Sequence, residues 1–400
     1  MNNPPPFLTI KNNKIVDNNN DGISLRGVNL GGWLMMEGYI LCGRNISEKS
    51  FKRQMVKYYG KKRLEGFTLA FRDSFIKEDD FKNISALGMN CIRLPFNFGL
   101  LEEKNGIDFL EKALSWCEEY NIYCILDMHA APGCQNSDWH ADSDGESFLW
   151  GDIAYQKRFF KLWQFIADRF KDREIIAGYD VLNEPVIRKQ PKKILRNFYK
   201  EAVKCIRQVD RKHIIFLEGN FWAQILEDIE EPFTDNLSYS IHYYHPLDFT
   251  FNFQRGLAYP GKIQGKDWNR ERIKRDLESY YRFGKKWGIP IFVGEFGVNL
   301  RCEKCAGSVS WLKDILEIFD EFDFHWTYWT YKSIANSVFP DGIYQYLLNP
   351  PWVRREGPIY GWENFYSLWK GREEEIVRSW ETQYFEKNRF LSDLLHKSVT

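Results

Sequence analysis

The fold class this sequence predicts is α/β, a (β/α)8 TIM barrel, on three observations. Eight strand-length apolar runs alternate with helix-length amphipathic stretches along most of the 400 residues. Several of those runs are apolar throughout, as strands buried on both faces must be. No G-x-G-x-x-G follows the first run and no phosphate-binding glycine loop appears anywhere, which disfavours an open doubly wound sheet. With neither a linker nor an internal repeat, residues 1–400 read as a single domain, a length that barrels of this kind reach.

The elements follow in order. Two short strands, residues 8–11 and 14–17, joined through Asn12 and Asn13, predict an N-terminal hairpin that caps the bottom of the barrel. The barrel strands are expected at 23–30, 91–96, 123–128, 175–182, 213–217, 237–243, 290–294 and 324–330. The clearest helix is 155–170, where Phe159, Leu162, Trp163, Ile166 and Phe170 share one face. Others are expected at 109–120, 193–209, 270–287 and 310–322, with Asp108 and Ser308 as N-caps, and a last helix at 373–395. After strand eight comes a long aromatic loop carrying Tyr344, Tyr346, Trp352, Tyr360, Trp362 and Trp369. It reads either as packing onto the barrel or as a wall for extra ligand.

Composition narrows the function. Hydrophobic residues make up 44% and charged residues 28%, enough for a large core and a solvated surface. The 17% aromatic content is high, and it suits a surface that stacks on flat apolar faces as well as a core. Lys plus Arg and Asp plus Glu both number 55, so the basic excess that nucleic-acid binding requires is absent. The Lys and Arg residues clustered between Lys189 and Arg196 read as a solvated helix face. No apolar run reaches the roughly 20 residues of a membrane span. The opening MNNPPPFLTIKNN lacks the basic-then-apolar pattern of a secretory signal, which leaves a cytoplasmic chain or a processed secreted one. Nothing calls for a partner chain, and a monomer is expected.

Eight cysteines in this length do not make a disulfide framework. Cys91, Cys117, Cys124 and Cys205 read as small buried thiols in strands and helices. Cys42, Cys134, Cys302 and Cys305 fall in loops of one rim, where free thiols are the default over a disulfide or a zinc site.

In a β/α barrel the C-terminal ends of the strands open to solvent and line the site. Here strand two offers Arg93, strand three His129, and strand four Asn183 with Glu184. Strand six offers His242 and Tyr244, strand seven Glu295, and strand eight Trp329. Strands four and seven stand nearly opposite in an eight-strand ring, so Glu184 and Glu295 can face each other at the roughly 5–5.5 Å of a retaining glycosidase. One carboxyl would attack the anomeric carbon while the other protonates the leaving oxygen and then activates water.

These segments resemble glycoside hydrolase family 5, the cellulase-type barrels with catalytic glutamates on strands four and seven. The resemblance runs from RGVNLGGWL (26–34) through CIRLPF, LDMHAAPG, DVLNEP, IHYYHP and VGEFG to YWTYK (328–332). It implies that Glu184 is the acid/base and Glu295 the nucleophile. Arg93 and Tyr244 would contact the nucleophile, His242 would sit beside the acid/base, and Asn183 would bind the sugar 2-hydroxyl. His129 and Trp329 would frame the sugar on the non-reducing side, with Trp329 as its stacking floor. Arg93 is expected to keep Glu295 ionised, with Glu184 protonated for its first task.

The loop at 129–145 is similar in its first part to the exo-β-1,3-glucanases of that family, which tilts the expected substrate towards β-glucan, β-1,4- or β-1,3-linked, or its oligosaccharides. Trp33, Glu37, Trp139, His140 and Lys332 are further subsite candidates, each with a packing or salt-bridge alternative. A β-mannanase or mannosidase is the alternative within the class, and a non-catalytic carbohydrate-binding barrel the alternative outside it. No H-E-x-x-H or multi-histidine cluster supports a metal hydrolase. The two-glutamate reaction requires neither metal nor cofactor.

Overall fold

Eight parallel strands pair in chain order into a closed barrel: Arg26–Asn29, Cys91–Asn97, Tyr123–Ala130, Ile176–Asp180, Ile214–Glu218, Leu237–His242, Ile291–Phe296 and His325–Tyr328. They are numbered one to eight below. The computed structural model describes residues 6–41, 43–300, 307–334, 338–345 and 368–399. All eight strands fall where apolar runs predict them, because a strand covered by ladder neighbours, helices and barrel interior has no face left for polar residues. Strands one, four and eight are shorter than expected. Strands three and seven run further, so His129 and Glu295 belong to the strands themselves. Strand one approaches strand two so closely that a Cβ on Gly27 would lie 1.7 Å from the Cys91 carbonyl oxygen.

The N-terminal hairpin forms from Thr9–Lys11 and Lys14–Val16, and both turn residues, Asn12 and Asn13, have positive φ. Asparagine tolerates that left-handed region, which a two-residue hairpin turn requires. Leu8 and Ile15 plug the bottom of the barrel against Leu25, Ile125, Ile214 and Phe292. Burying an aliphatic side chain of this size contributes about 1.5–3 kcal/mol.

Helices Gly106–Tyr120, Ile153–Phe170, Pro191–Arg207, Arg270–Trp287 and Ser308–Glu321 wrap the barrel, each within a few residues of its expected place. Neither N-cap is as expected. Asp108 sits inside the first turn, and the helix opens after Asn105 in the left-handed region. Ser308 is already helical, and its hydroxyl donates to the Asn299 carbonyl at 3.2 Å. Three helices between strands one and two, Glu48–Tyr59, Lys61–Phe75 and Glu78–Ala86, are not anticipated from the sequence. Their signal is a thin one: Phe67, Phe71 and Phe75 recur every four residues on an otherwise charged segment.

The C-terminal helix expected at 373–395 is two helices, Glu373–Arg378 and Arg389–Val399. Between them a 3-10 turn, Thr382–Tyr384, leads into Glu386–Lys387, which pairs antiparallel with Tyr344–Gln345. Lys332 anchors the segment between them. Its buried ammonium donates to the carbonyls of Trp380 and Phe75 and to the Thr382 hydroxyl. Lys332 is therefore a latch for the C-terminal segment and not a subsite residue.

Cys91, Cys117, Cys124 and Cys134 are buried free thiols, and Cys205 is free but only half-buried, at the edge of its helix. Cys42, Cys302 and Cys305 lie outside the described residues, as do Tyr346, Trp352, Tyr360 and Trp362. Of the loop aromatics that are described, Trp369 stacks on Trp380 and meets Phe67 edge-on, so it packs. No helix among the described residues is long and apolar enough to cross a membrane.

Candidate active site

The C-terminal ends of the strands surround a cavity of about 450 Å³. Glu295 enters it from strand seven, at an irregularity of the ladder that sets it opposite His242 of strand six. Its Oε1 accepts from Arg93 Nη1 at 2.9 Å, and its Oε2 accepts from the Tyr244 hydroxyl at 2.8 Å. Glu184 stands just beyond strand four with φ +46°, in the left-handed region that side chains rarely occupy. Asn136 Nδ2 donates to its carbonyl at 2.9 Å. His242 Nδ1 lies 2.8 Å from Glu184 Oε1 and 3.5 Å from Glu295 Oε2. One oxygen of each carboxylate lies within 4.8 Å of the other.

Beneath this pair the site rests on one buried guanidinium. Arg93 contacts Asp180 at 2.8 Å, Asp127 at 3.0 Å, Glu218 at 2.8 Å and Glu295 at 2.9 Å. It also donates to Asn183 Oδ1 at 2.9 Å and to Asn29 Oδ1 at 3.2 Å. One cation cannot keep four buried carboxylates ionised. Burial, with carboxylate neighbours adding to it, pushes Asp127 well up and Asp180 up to about 8, so Asp180 holds a proton at neutral pH. Against burial, His242 and Arg93 hold Glu218 below the usual carboxylate range.

The expectation for Glu295 needs correction. Burial raises its pKa, and His242 and Arg93 only partly offset that rise. Arg93 orients the carboxylate, but its charge is divided among too many partners to hold the group low. His242 behaves in the opposite sense. Burial opposes its charge, yet Glu218 and Glu295, with the hydrogen bond to Glu184, lift it well above the ordinary imidazole value. His129 is neutral: burial, then Arg93, push it well down, and its Nδ1 lies 2.7 Å from Asp127.

The other expected residues divide between the cavity and elsewhere. His129 stacks on Trp329 with centroids 5.5 Å apart, and both line the cavity. Asn183 and Arg93 lie beneath the wall, with Asn183 Nδ2 facing His129 Nε2 at 3.5 Å. Glu37, Trp139 and His140 are on the wall. Burial pushes Glu37 well up, and its Oε1 has no hydrogen-bond partner; the nearest cation candidate, His129 at 3.8 Å, is neutral. A salt bridge therefore does not account for it. His140 Nε2 lies 3.5 Å from Glu184 Oε2 and 3.6 Å from Asp138, and despite burial these acids lift it to about 9. Trp33 is not at the site: it is buried among the helices after strand one and donates from Nε1 to the Arg72 carbonyl at 2.8 Å. Its place in a strand-one loop gave no hint of which way the ring turns.

Several site residues escape the sequence reading. Glu218 carries the signal that identifies Glu184, a glutamate ending an apolar strand. Asp127 lies two residues before His129 on the same strand face. Tyr39, which accepts a hydrogen bond from the Trp329 indole, and Trp222, which donates from Nε1 to Asp138 at 2.8 Å, carry no signal of their own. Phe221, Trp222 and Ala223 all have positive φ, a turn that no residue pattern announces.

Residues 53–334 match the family model described as cellulase, glycosyl hydrolase family 5. The chain belongs to glycosyl hydrolase family 5. It is 31% identical over 350 residues to a protein named β-xylosidase from Phanerodontia chrysosporium, covering 82% of this chain and 71% of that one. It is 28% identical over 311 residues to endoglucanase C of Acetivibrio thermocellus, with 67% and 87% covered. The solved structure of endoglucanase Cel5A from Thermotoga maritima superposes with a TM-score of 0.57 at 20% identity, covering 88% of this chain and 96% of that one, and so shares the fold. This family 5 member is an O-glycosyl hydrolase acting on β-glycosidic bonds of a carbohydrate.

Among the described residues, two groupings in the family 5 site have metal-ligand spacing: Asp127 with Asp180 and Glu218, and Glu184 with His242 and Glu295. Arg93 occupies the first as the counter-cation, and a charged His242 has no lone pair to offer the second. Chelation by EDTA is accordingly expected to leave kcat and KM unchanged. A loss of activity restored by added zinc would overturn that assignment.

Proposed function

We propose that this hydrolase cleaves β-glucan, β-1,4- or β-1,3-linked, or its oligosaccharides by double displacement, with Glu295 as nucleophile and Glu184 as acid/base. The observation that carries the reading is the separation of the two carboxylates, whose nearest oxygens lie within 4.8 Å. That spacing suits the roughly 5–5.5 Å of retaining enzymes and leaves no room for the water that an inverting pair holds at about 6.5–9.5 Å.

The residues divide the work as follows. His242 Nδ1–H occupies Glu184 Oε1, so the transferable proton rides on Oε2 and passes to the glycosidic oxygen as that bond breaks. Glu295, steered by Arg93 and Tyr244, attacks the anomeric carbon and forms the glycosyl ester. Glu184, now ionised, takes a proton from water, whose oxygen attacks the anomeric carbon and releases Glu295. Trp329, stiffened by His129 and Tyr39, offers a flat face to the sugar, and Asn183 Nδ2 approaches the 2-hydroxyl as oxocarbenium character develops. Glu37, whose carboxyl burial pushes well up, lines the cavity with an unpartnered Oε1 and can hydrogen-bond a further sugar hydroxyl.

Proton NMR of the first product tests the stereochemistry: the β-anomer is expected before mutarotation, and an initial α-anomer would rule out double displacement. Purified protein assayed on laminarin, carboxymethylcellulose, lichenan, mannan and an aryl β-xyloside tests the substrate. The glucans are expected to be cleaved fastest. A preference for mannan or the xyloside, the latter suggested by the relative named β-xylosidase, would overturn the glucan assignment.

A further inference from the structure

Strand five carries none of the expected site residues, yet it ends on a fully buried carboxylate, Glu218. Its Oε2 accepts from the Glu184 backbone N–H at 2.6 Å. Its Oε1 accepts from Arg93 at 2.8 Å and faces His242 Nε2 at 3.3 Å. The other ring nitrogen of His242 reaches the Glu184 side chain at 2.8 Å. One carboxylate thus holds the Glu184 backbone directly and lies in ionic contact with the imidazole that reaches the Glu184 side chain.

We propose that Glu218 is the positioning residue of the acid/base: it holds Glu184 in its left-handed turn and aims His242 so that Glu184 keeps its mobile proton on Oε2. The proposal rests on Glu184 being the acid/base. A backbone with φ +46° at a glutamate persists only where its surroundings over-determine it, and the bond to Glu218 is part of that restraint. Counter-charge for Arg93 accounts for only one Glu218 oxygen, Oε1; the other, Oε2, is taken up by the Glu184 N–H. Of the acids facing that cation, Glu218 alone accepts the Glu184 N–H.

His242 is the part of this relay that titrates. Glu184, Glu218 and Glu295 face it directly, with Asp180 and His129 further out. Against burial, the acids raise it well above the ordinary imidazole value, with Nδ1 at hydrogen-bond distance from Glu184 and Nε2 in ionic contact with Glu218. Without the Glu218 charge, His242 falls back towards the free imidazole value of about 6.5.

Nitrogen-15 NMR of the wild-type ring, assigned by difference from His242→Asn, is expected to show both nitrogens still protonated at pH values where a free imidazole is neutral. A neutral ring at about pH 7 would overturn the proposal whether or not any Glu218 variant folds. In Glu218→Gln the ring is expected to titrate near neutrality. The kcat/KM for an unactivated oligosaccharide is expected to drop about 100-fold, against less than about 5-fold for the dinitrophenyl glycoside, whose leaving group needs no proton. Equal losses on both substrates would reduce Glu218 to a structural role. Glu184→Ala separates the two readings. If it discriminates between the substrates and Glu218→Gln does not, only the role of Glu218 fails. If Glu184→Ala does not discriminate, the acid/base reading itself fails.

Discussion

Replacing Glu295 with alanine is expected to slow hydrolysis on the order of 10⁵-fold or more, as loss of a covalent nucleophile does elsewhere. Added azide is expected to restore turnover and to leave as the α-glycosyl azide. Truncation opens a space between Arg93 Nη1 and the Tyr244 hydroxyl, the two groups that hold the native carboxylate at 2.9 and 2.8 Å. A small anion fits that setting of one cation and one hydroxyl donor. It attacks from the face Glu295 occupied, opposite the leaving group, so configuration inverts once. Carbon-13 and proton NMR of the product read the outcome. A β-azide would mean that a covalent intermediate still forms and that the nucleophile has been misassigned.

Replacing Glu184 with alanine is expected to act selectively. For natural oligosaccharides kcat/KM should fall about 10²- to 10⁴-fold, the usual worth of a general acid. For a dinitrophenyl glycoside the fall should stay within about 10-fold, because that leaving group departs without a proton. Glu295 and its partners Arg93 and Tyr244 remain in place, so the glycosyl ester still forms. With azide present it should be intercepted to give the β-glycosyl azide, two inversions in all. His140 and His242 both border Glu184, at 3.5 and 2.8 Å, and a histidine that took over its proton would show itself as equal losses on the two substrates. That result would move the acid role to one of them.

Much of the site was legible because a barrel converts chain position into spatial position. A residue at the C-terminal end of any strand comes to the same rim, so Glu184, Glu295, His129, His242, Tyr244 and Trp329 were brought together by topology alone. Residues a little beyond a strand end were not legible in this way. Trp33 and Lys332 follow strands one and eight as Glu37 and Trp139 follow strands one and three, yet the first two turn away into helix packing and the C-terminal latch. Loop direction depends on contacts with segments far along the chain, such as Arg72 for Trp33 and Trp380 for Lys332.

By itself the sequence determined the eight strands, their parallel order and the two opposed glutamates, because apolar periodicity and strand ends are local properties that the barrel transmits without loss. Only the tertiary structure decided the charges. Arg93 meets four carboxylates from strands three, four, five and seven, and no spacing along the chain states how one cation is shared among them. A protonated Asp180, a raised Glu295 and a cationic His242 follow from burial and distance, which exist only once the strands have closed.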